Sequence, residues 1–114
     1  MNELKFLTDM IVAFRNARDW ERYHQPKELA ISVAIEAAEL MEKFQWARKA
    51  QAEYIEAHKE EIADELADVV IYLLLLAYSL DIDVKSAVEE KLEKMRKKYP
   101  VEKARGRDIK YTEL

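Results

Sequence analysis

Two pairs of carboxylates dominate the chemistry this sequence can offer. Glu36-Ala-Ala-Glu39 places two acids at i and i+3, on one face of a helix. Glu65-Leu-Ala-Asp68 repeats the arrangement about thirty residues later. At 100° per residue, Glu61 and Tyr72 lie within about 40° of Glu65, so that stripe continues in both directions. Antiparallel packing of two such helices would let the four acids converge. Bare carboxylates cannot share a site unpaired, because like charges and burial both disfavour ionisation. A hard divalent cation resolves the conflict, and magnesium is commonly held by carboxylates together with substrate phosphates. A plainer reading stands beside this one. Glu28, Ser32, Glu36, Glu39 and Lys43 also form a solvent-facing stripe at helical spacing, as most amphipathic helices do. A di-iron bundle would need Glu-x-x-His pairs on its helices. Only Glu21-x-x-His24 fits, outside the helices, and one pair is not two.

The elements that must position these acids read as four helices. The first runs from about Glu3 to Arg18, with Leu4, Leu7, Met10, Ile11 and Phe14 on one face. A polar connection, Glu21 to Gln25, leads to Pro26, which suits a first helical turn. The second helix runs from about Pro26 to Ala47 and the third from about Ala52 to Leu80. Asp81-Ile82-Asp83 breaks the pattern, and Asp83 is placed to N-cap a fourth helix reaching about Lys98. Pro100 stops it, and residues 101–114 are expected to form an irregular tail. The fold class is all-α, a four-helix bundle in a single domain spanning 1–114. Leu29 to Met41 carries only Ser32, Glu36 and Glu39 as polar residues, and Leu66 to Leu80 only Asp68 and Ser79 beside two tyrosines. Helices apolar almost all round must be covered on most sides. The expectation is a homo-oligomer, a homodimer or homotetramer.

Composition removes the competing classes. The 114 residues contain one glycine, two prolines and no cysteine, which excludes a disulfide scaffold, a thiolate zinc site, a thiol nucleophile and a glycine-rich phosphate loop. Acids outnumber bases 23 to 19, against the basic balance of a duplex-binding domain, so no DNA or RNA partner is expected. The surplus is uneven: residues 21–82 are acidic and residues 83–114 basic. The longest apolar stretch, Val69 to Tyr78, falls well short of the roughly 20 residues a membrane span needs. No signal-like opening precedes the first periodic segment, so a cytoplasmic location and no membrane partner are expected.

In this setting the paired acids become recognisable. Glu36-x-x-Glu39 followed by Glu65-x-x-Asp68 resembles the metal-binding signature of the MazG-like, all-α nucleoside triphosphate pyrophosphohydrolases. Arg18-Asp19-Trp20, His24-Gln25-Pro26-Lys27, Phe44-Gln45-Trp46, Asp68-Val69-Val70-Ile71-Tyr72, Tyr99-Pro100 and the closing Lys110-Tyr111-Thr112-Glu113-Leu114 resemble its dCTP pyrophosphatase branch. The resemblance implies hydrolysis of a nucleoside triphosphate to the monophosphate and pyrophosphate. It also implies Mg2+ held by Glu36, Glu39, Glu65 and Asp68, which are then the catalytic residues. For the base it points to Trp20, His24, Trp46 and Tyr72, and for the phosphates to Lys91 and Tyr99. Without it, Trp46 reads as a core residue, Tyr72 as a packing residue and His24 as a loop histidine. Lys91 through Lys98 would then simply complement the end of a helix dipole.

Two positions depart from the branch pattern. Met95 stands where an asparagine usually follows the helix-four lysine, and Glu28 where an asparagine usually follows the His-Gln-Pro-Lys segment. These departures bear on sugar or base preference and leave the acids untouched. They also support the alternative, a non-catalytic helical module that binds a nucleotide or a protein on the same fold.

Overall fold

A computed structural model describes residues 2–46 and 51–114. Among the described residues the chain is helical throughout and contains no strand. Four long helices, α1 (Glu3–Ala17), α2 (Pro26–Glu42), α3 (Gln51–Ser79) and α4 (Val84–Lys98), are followed by a short α5 (Val101–Ala104). Single 3₁₀ turns occupy Glu21–Tyr23 and Tyr111–Glu113. The chain divides into two compact units, Met1–Ile82 and Asp83–Leu114.

In the first unit, α1 begins where the Asn2 side chain accepts from the Leu4 and Lys5 amides at 3.0 and 3.3 Å. Its end shows how a glycine-poor chain makes a sharp stop. Asp19 adopts φ 56°, its amide donates to the Asn16 carbonyl, and the Trp20 amide donates to the Arg15 carbonyl. Asp81, at φ 55°, closes α3 in the same way, with the Ile82 amide on the Ala77 carbonyl at 2.8 Å. Aspartate tolerates the left-handed region better than most residues, so both helices end in a Schellman motif without glycine.

The core of this unit joins Val12, Leu29 and Leu75, flanked by Ile11, Ile71, Tyr72 and Leu76. Leu29 is completely buried. Contacts between α2 and its surroundings fix the direction of α3: His24 and Leu29 meet residues 71–75, whereas Lys43 meets Tyr54. The two helices are therefore antiparallel, the arrangement that convergence of the acids requires.

α2 is shorter than its sequence predicts. It ends at Glu42, and the Lys43, Phe44 and Gln45 amides turn to the carbonyls three residues back. The ladder tightens into a turn over residues 43–46. The predicted end at Ala47 lies outside the described residues. α3 spans nearly its predicted length but kinks at His58 (φ −116°, ψ 15°). Ile31, Ile35 and Met41 on α2, and Leu66, Val70 and Leu73 on α3, remain exposed.

In the second unit, Asp83 caps α4 as the sequence predicts. Its carboxylate accepts from the Ser86 amide at 3.1 Å and the Ser86 hydroxyl at 2.6 Å, and these bonds hold its pKa below the usual aspartate value. The tail, expected to be irregular, is partly ordered. Pro100 opens α5 instead of merely ending α4, since its fixed φ and missing N–H suit a helix start. Further on, the Tyr111 amide donates to the Tyr99 hydroxyl at 3.3 Å, the two rings meet edge-to-face at 5.9 Å, and Lys98 Nζ lies 4.6 Å from the Tyr111 ring centre.

Candidate metal centre

The i, i+3 spacing puts Glu65 and Asp68 on one face of α3, and Glu36 on the facing side of α2. One carboxylate oxygen from each of Glu36, Glu65 and Asp68 lies within 4.8 Å of the other two. All three residues are half-buried. The Oε2 atoms of Glu36 and Glu65 are shielded from solvent and have no hydrogen-bond partner. Buried acceptors are normally satisfied, so an orphaned oxygen on each of two residues of this cluster marks a place for a donor or a cation.

The electrostatics carry the same message. The Glu36 pKa is raised to about 7, first by desolvation, then by a side-chain hydrogen bond to Glu39 and by the charges of Glu39, Asp68 and Glu65. Glu65 is also raised, first by desolvation and then by the Glu39 charge. Glu39 is thus beside both, although it is not one of the three closest oxygens. An oxygen-only, acid-rich donor set of this kind suits a hard divalent cation.

Tyr72 adjoins the acids one turn beyond Asp68. Burial raises its pKa, and Glu36, Asp68 and Glu39 raise it further. Its ring meets His24 edge-to-face at 6.3 Å. His24 is half-buried, its Nδ1 has no partner, and burial with the nearby Arg15 charge lowers its pKa below 6.5. Both effects favour the neutral imidazole.

The chain matches the MazG-like family model over residues 31–114. It belongs to the MazG-like family. It is 40% identical over 106 residues to dCTP pyrophosphatase 1 of Rattus norvegicus, covering 89% of this chain and 61% of the relative. The human dCTP pyrophosphatase 1 is 38% identical over 104 residues, with 89% of this chain and 61% of the relative covered. The chain thus spans about three-fifths of the length of the curated relatives it matches. A pyrophosphatase of Archaeoglobus fulgidus superposes with a TM-score of 0.82 at 44% identity, covering 88% of this chain and 94% of that one.

Within this MazG-like chain the structure groups Glu36, Glu39, Glu65, Asp68, Tyr72 and His24 in the first unit. Trp20 packs edge-to-face on Phe14 at 5.9 Å and keeps 45% of its surface exposed. Trp46, which spacing alone would assign to a core, is 68% exposed in the turn after α2. The helix bends into that turn before the residue can reach an interior position. Lys91 is exposed on α4, and Tyr99 caps that helix in the second unit.

Sequence reasoning missed two features. Arg15 is buried to 6% exposure, with its Nε donating to Asn16 Oδ1 and its guanidinium 5.7 Å from the Tyr78 ring. It stands on the apolar face of α1, four residues after Ile11, and that position is the only signal. The second is a strut across the α2–α3 connection. The Tyr54 hydroxyl donates to the Lys43 carbonyl, the Tyr54 ring stacks on His58 at 4.2 Å, and His58 Nδ1 lies 2.9 Å from the Tyr54 carbonyl. Tyr54 and His58 at i and i+4 are the signal for that pair.

Proposed function

We propose that this chain hydrolyses a nucleoside triphosphate to the monophosphate and pyrophosphate, with Mg2+ held by Glu36, Glu39, Glu65 and Asp68. The observation that carries the reading is the convergence of Glu36, Glu65 and Asp68, each with a carboxylate oxygen within 4.8 Å of the other two, while Glu36 and Glu65 each keep a solvent-shielded oxygen without a partner. Bound there, the metal would bind phosphate oxygens and lower the pKa of the attacking water. The carboxylates orient that chemistry, and one of them takes the proton from the water as it attacks. Burial and the neighbouring acids raise the Glu36 pKa to about 7, and a cation bound beside it would lower it.

The names of the relatives support dCTP, or a modified cytidine nucleotide, as substrate. His24 Nδ1 offers a hydrogen bond to the base edge, with Trp20, Trp46 and Tyr72 providing aromatic faces. For the phosphates the family resemblance points to Lys91 and Tyr99, which lie in the second unit. A family match that runs from the first unit into the second supports reading residues 1–114 as one functional domain. The exposed apolar residues of α2 and α3 support a homodimer or homotetramer. Among the described residues no helix is long and apolar enough to cross a membrane. We read the protein as cytoplasmic, with nucleotides rather than DNA, RNA or lipid as its ligands.

Pyrophosphate release across a panel of ribo- and deoxyribonucleoside triphosphates at millimolar magnesium tests the reading. Turnover is expected with dCTP or a close analogue among the best substrates. No turnover with any nucleotide overturns it, and tight binding without turnover would favour a non-catalytic nucleotide-binding module.

A further inference from the structure

The stripe of α2 that supplies the acids ends in a cation. Glu36, Glu39 and Lys43 stand at i, i+3 and i+7, one above the other on a helical face. Lys43 keeps helical dihedrals (φ −63°, ψ −20°) although the ladder has begun to tighten, so it still projects from that face. It is half-buried, and among the described residues no carboxylate lies within ion-pair distance of its Nζ. Its backbone is held from across the connection by the Tyr54 hydroxyl, itself stacked on the kinked His58. A half-buried lysine beside an acidic cluster, fixed from behind and outside ion-pair distance of any described carboxylate, is arranged for an anion that arrives with the ligand.

Charge bookkeeping calls for such a residue. Four carboxylates and a triphosphate carry about eight negative charges, and two divalent cations would offset only about four of them. We propose that Lys43 is a phosphate-binding residue at the edge of the metal centre, held there by the Tyr54–His58 strut and reaching the polyphosphate of the bound nucleotide. The identity of the ligand rests on the function proposed above. The field at Glu65 supports the placement, since Lys43 alone among the groups acting on that carboxyl pulls its pKa down. A lysine here also opposes the metal, because two cations at one site repel. It therefore weakens metal binding by itself while strengthening polyphosphate binding, and that opposition distinguishes a phosphate ligand from a structural residue.

The test uses calorimetry on the full chain with magnesium alone, then with magnesium plus inorganic tripolyphosphate or the α,β-imido analogue of dCTP. Lys43→Met should weaken both polyphosphates roughly tenfold, the size of one charge-assisted contact, and tighten magnesium alone by a few-fold. Lys43→Arg should restore polyphosphate binding. Tyr54→Phe, which removes only the bond to the Lys43 carbonyl, should weaken it by less than Lys43→Met. In turnover, KM should rise by a larger factor than kcat falls. Polyphosphate affinity within twofold of wild type in Lys43→Met overturns the proposal. So does a parallel loss of magnesium and polyphosphate binding, or a wild-type chain that binds neither polyphosphate. Lysine-dependent tripolyphosphate binding in a chain that hydrolyses no nucleotide would leave this inference standing and overturn the proposed function alone.

Discussion

The α2–α3 pair and α4 use the same device, charged residues three or four apart on a helix, to opposite ends. On α4, Lys85 pairs with Glu89, and Arg96 with Glu93 at 2.8 Å, all of them more than half exposed. Each of these four charges finds an opposite one within its own helix and remains in water. In Glu36–Glu39 on α2 and Glu65–Asp68 on α3 the paired charges are alike, and the two helices bring them together at partly buried positions. One arrangement is satisfied as it stands, whereas the other is satisfied only by something added. Unsatisfied like charge, more than charge itself, marks the region with a function.

Breaking the cluster should have the largest effect. Glu65→Gln and Asp68→Asn each remove one of the three converging oxygens while keeping side-chain volume. Each should lower turnover by about a thousandfold or more, the scale of losing a metal-organised transition state. Glu39→Gln, beside the same oxygens, should do likewise with the helical circular dichroism unchanged. Retained activity in all three would mean that the acids are only a solvated stripe.

Binding of magnesium gives the next largest effect. Binding that favours the folded state stabilises by about 2.7 kcal/mol at a hundredfold excess over Kd. For a domain of this size that is a Tm rise on the order of 10 °C. Thermal unfolding with magnesium and with chelator measures it, and the rise should vanish in Glu65→Gln. An identical rise in that variant would place the cation elsewhere.

The pH dependence sharpens the contrast. In the metal-free protein Glu36 holds its proton to about pH 7, against an ordinary value of 4.5. Between these values the folded chain binds more protons than the unfolded one, so stability falls as pH rises from about 4.5 to 7. Below that window both states are protonated and the contribution is fully present. Metal-free Tm should therefore decline across it, the decline should flatten in Glu36→Gln, and magnesium affinity should increase over the same range. A metal-free Tm that climbs through the window in wild type but not in Glu36→Gln would contradict the raised Glu36 value.

The acids were legible because helical spacing converts sequence separation into a shared face, and the apolar residues around them forced the two helices together. The Asp83 cap was legible for a similar reason, its partner Ser86 lying within one turn. The end of α2 was not. Nothing at Lys43 or Phe44 breaks a helix by propensity, and the turn is held by Tyr54, eleven residues away. The left-handed Asp19 and Asp81 were hidden too, because the eye looks for glycine there and the chain has one. Read without the family resemblance, Trp46 would be a core residue, and its exposure in the turn after α2 runs against that, since a large apolar ring is buried only if the backbone carries it inward.

The smallest effect belongs to the paired charges of α4, and it tests the comparison from its other side. Arg96 and Glu93 form an exposed i, i+3 pair whose Coulomb energy is spread through water. Glu93→Gln removes that attraction and leaves no buried partner behind. Tm should move by about 2 °C or less, and the shift should shrink further in high salt as the remaining charges are screened. Magnesium stabilisation should be unaltered, because no orphaned oxygen is created or removed. A shift as large as that expected at the metal centre would mean that pairing on α4 stores energy as the cluster does. The distinction between satisfied and unsatisfied charge would then fail where it is simplest to measure.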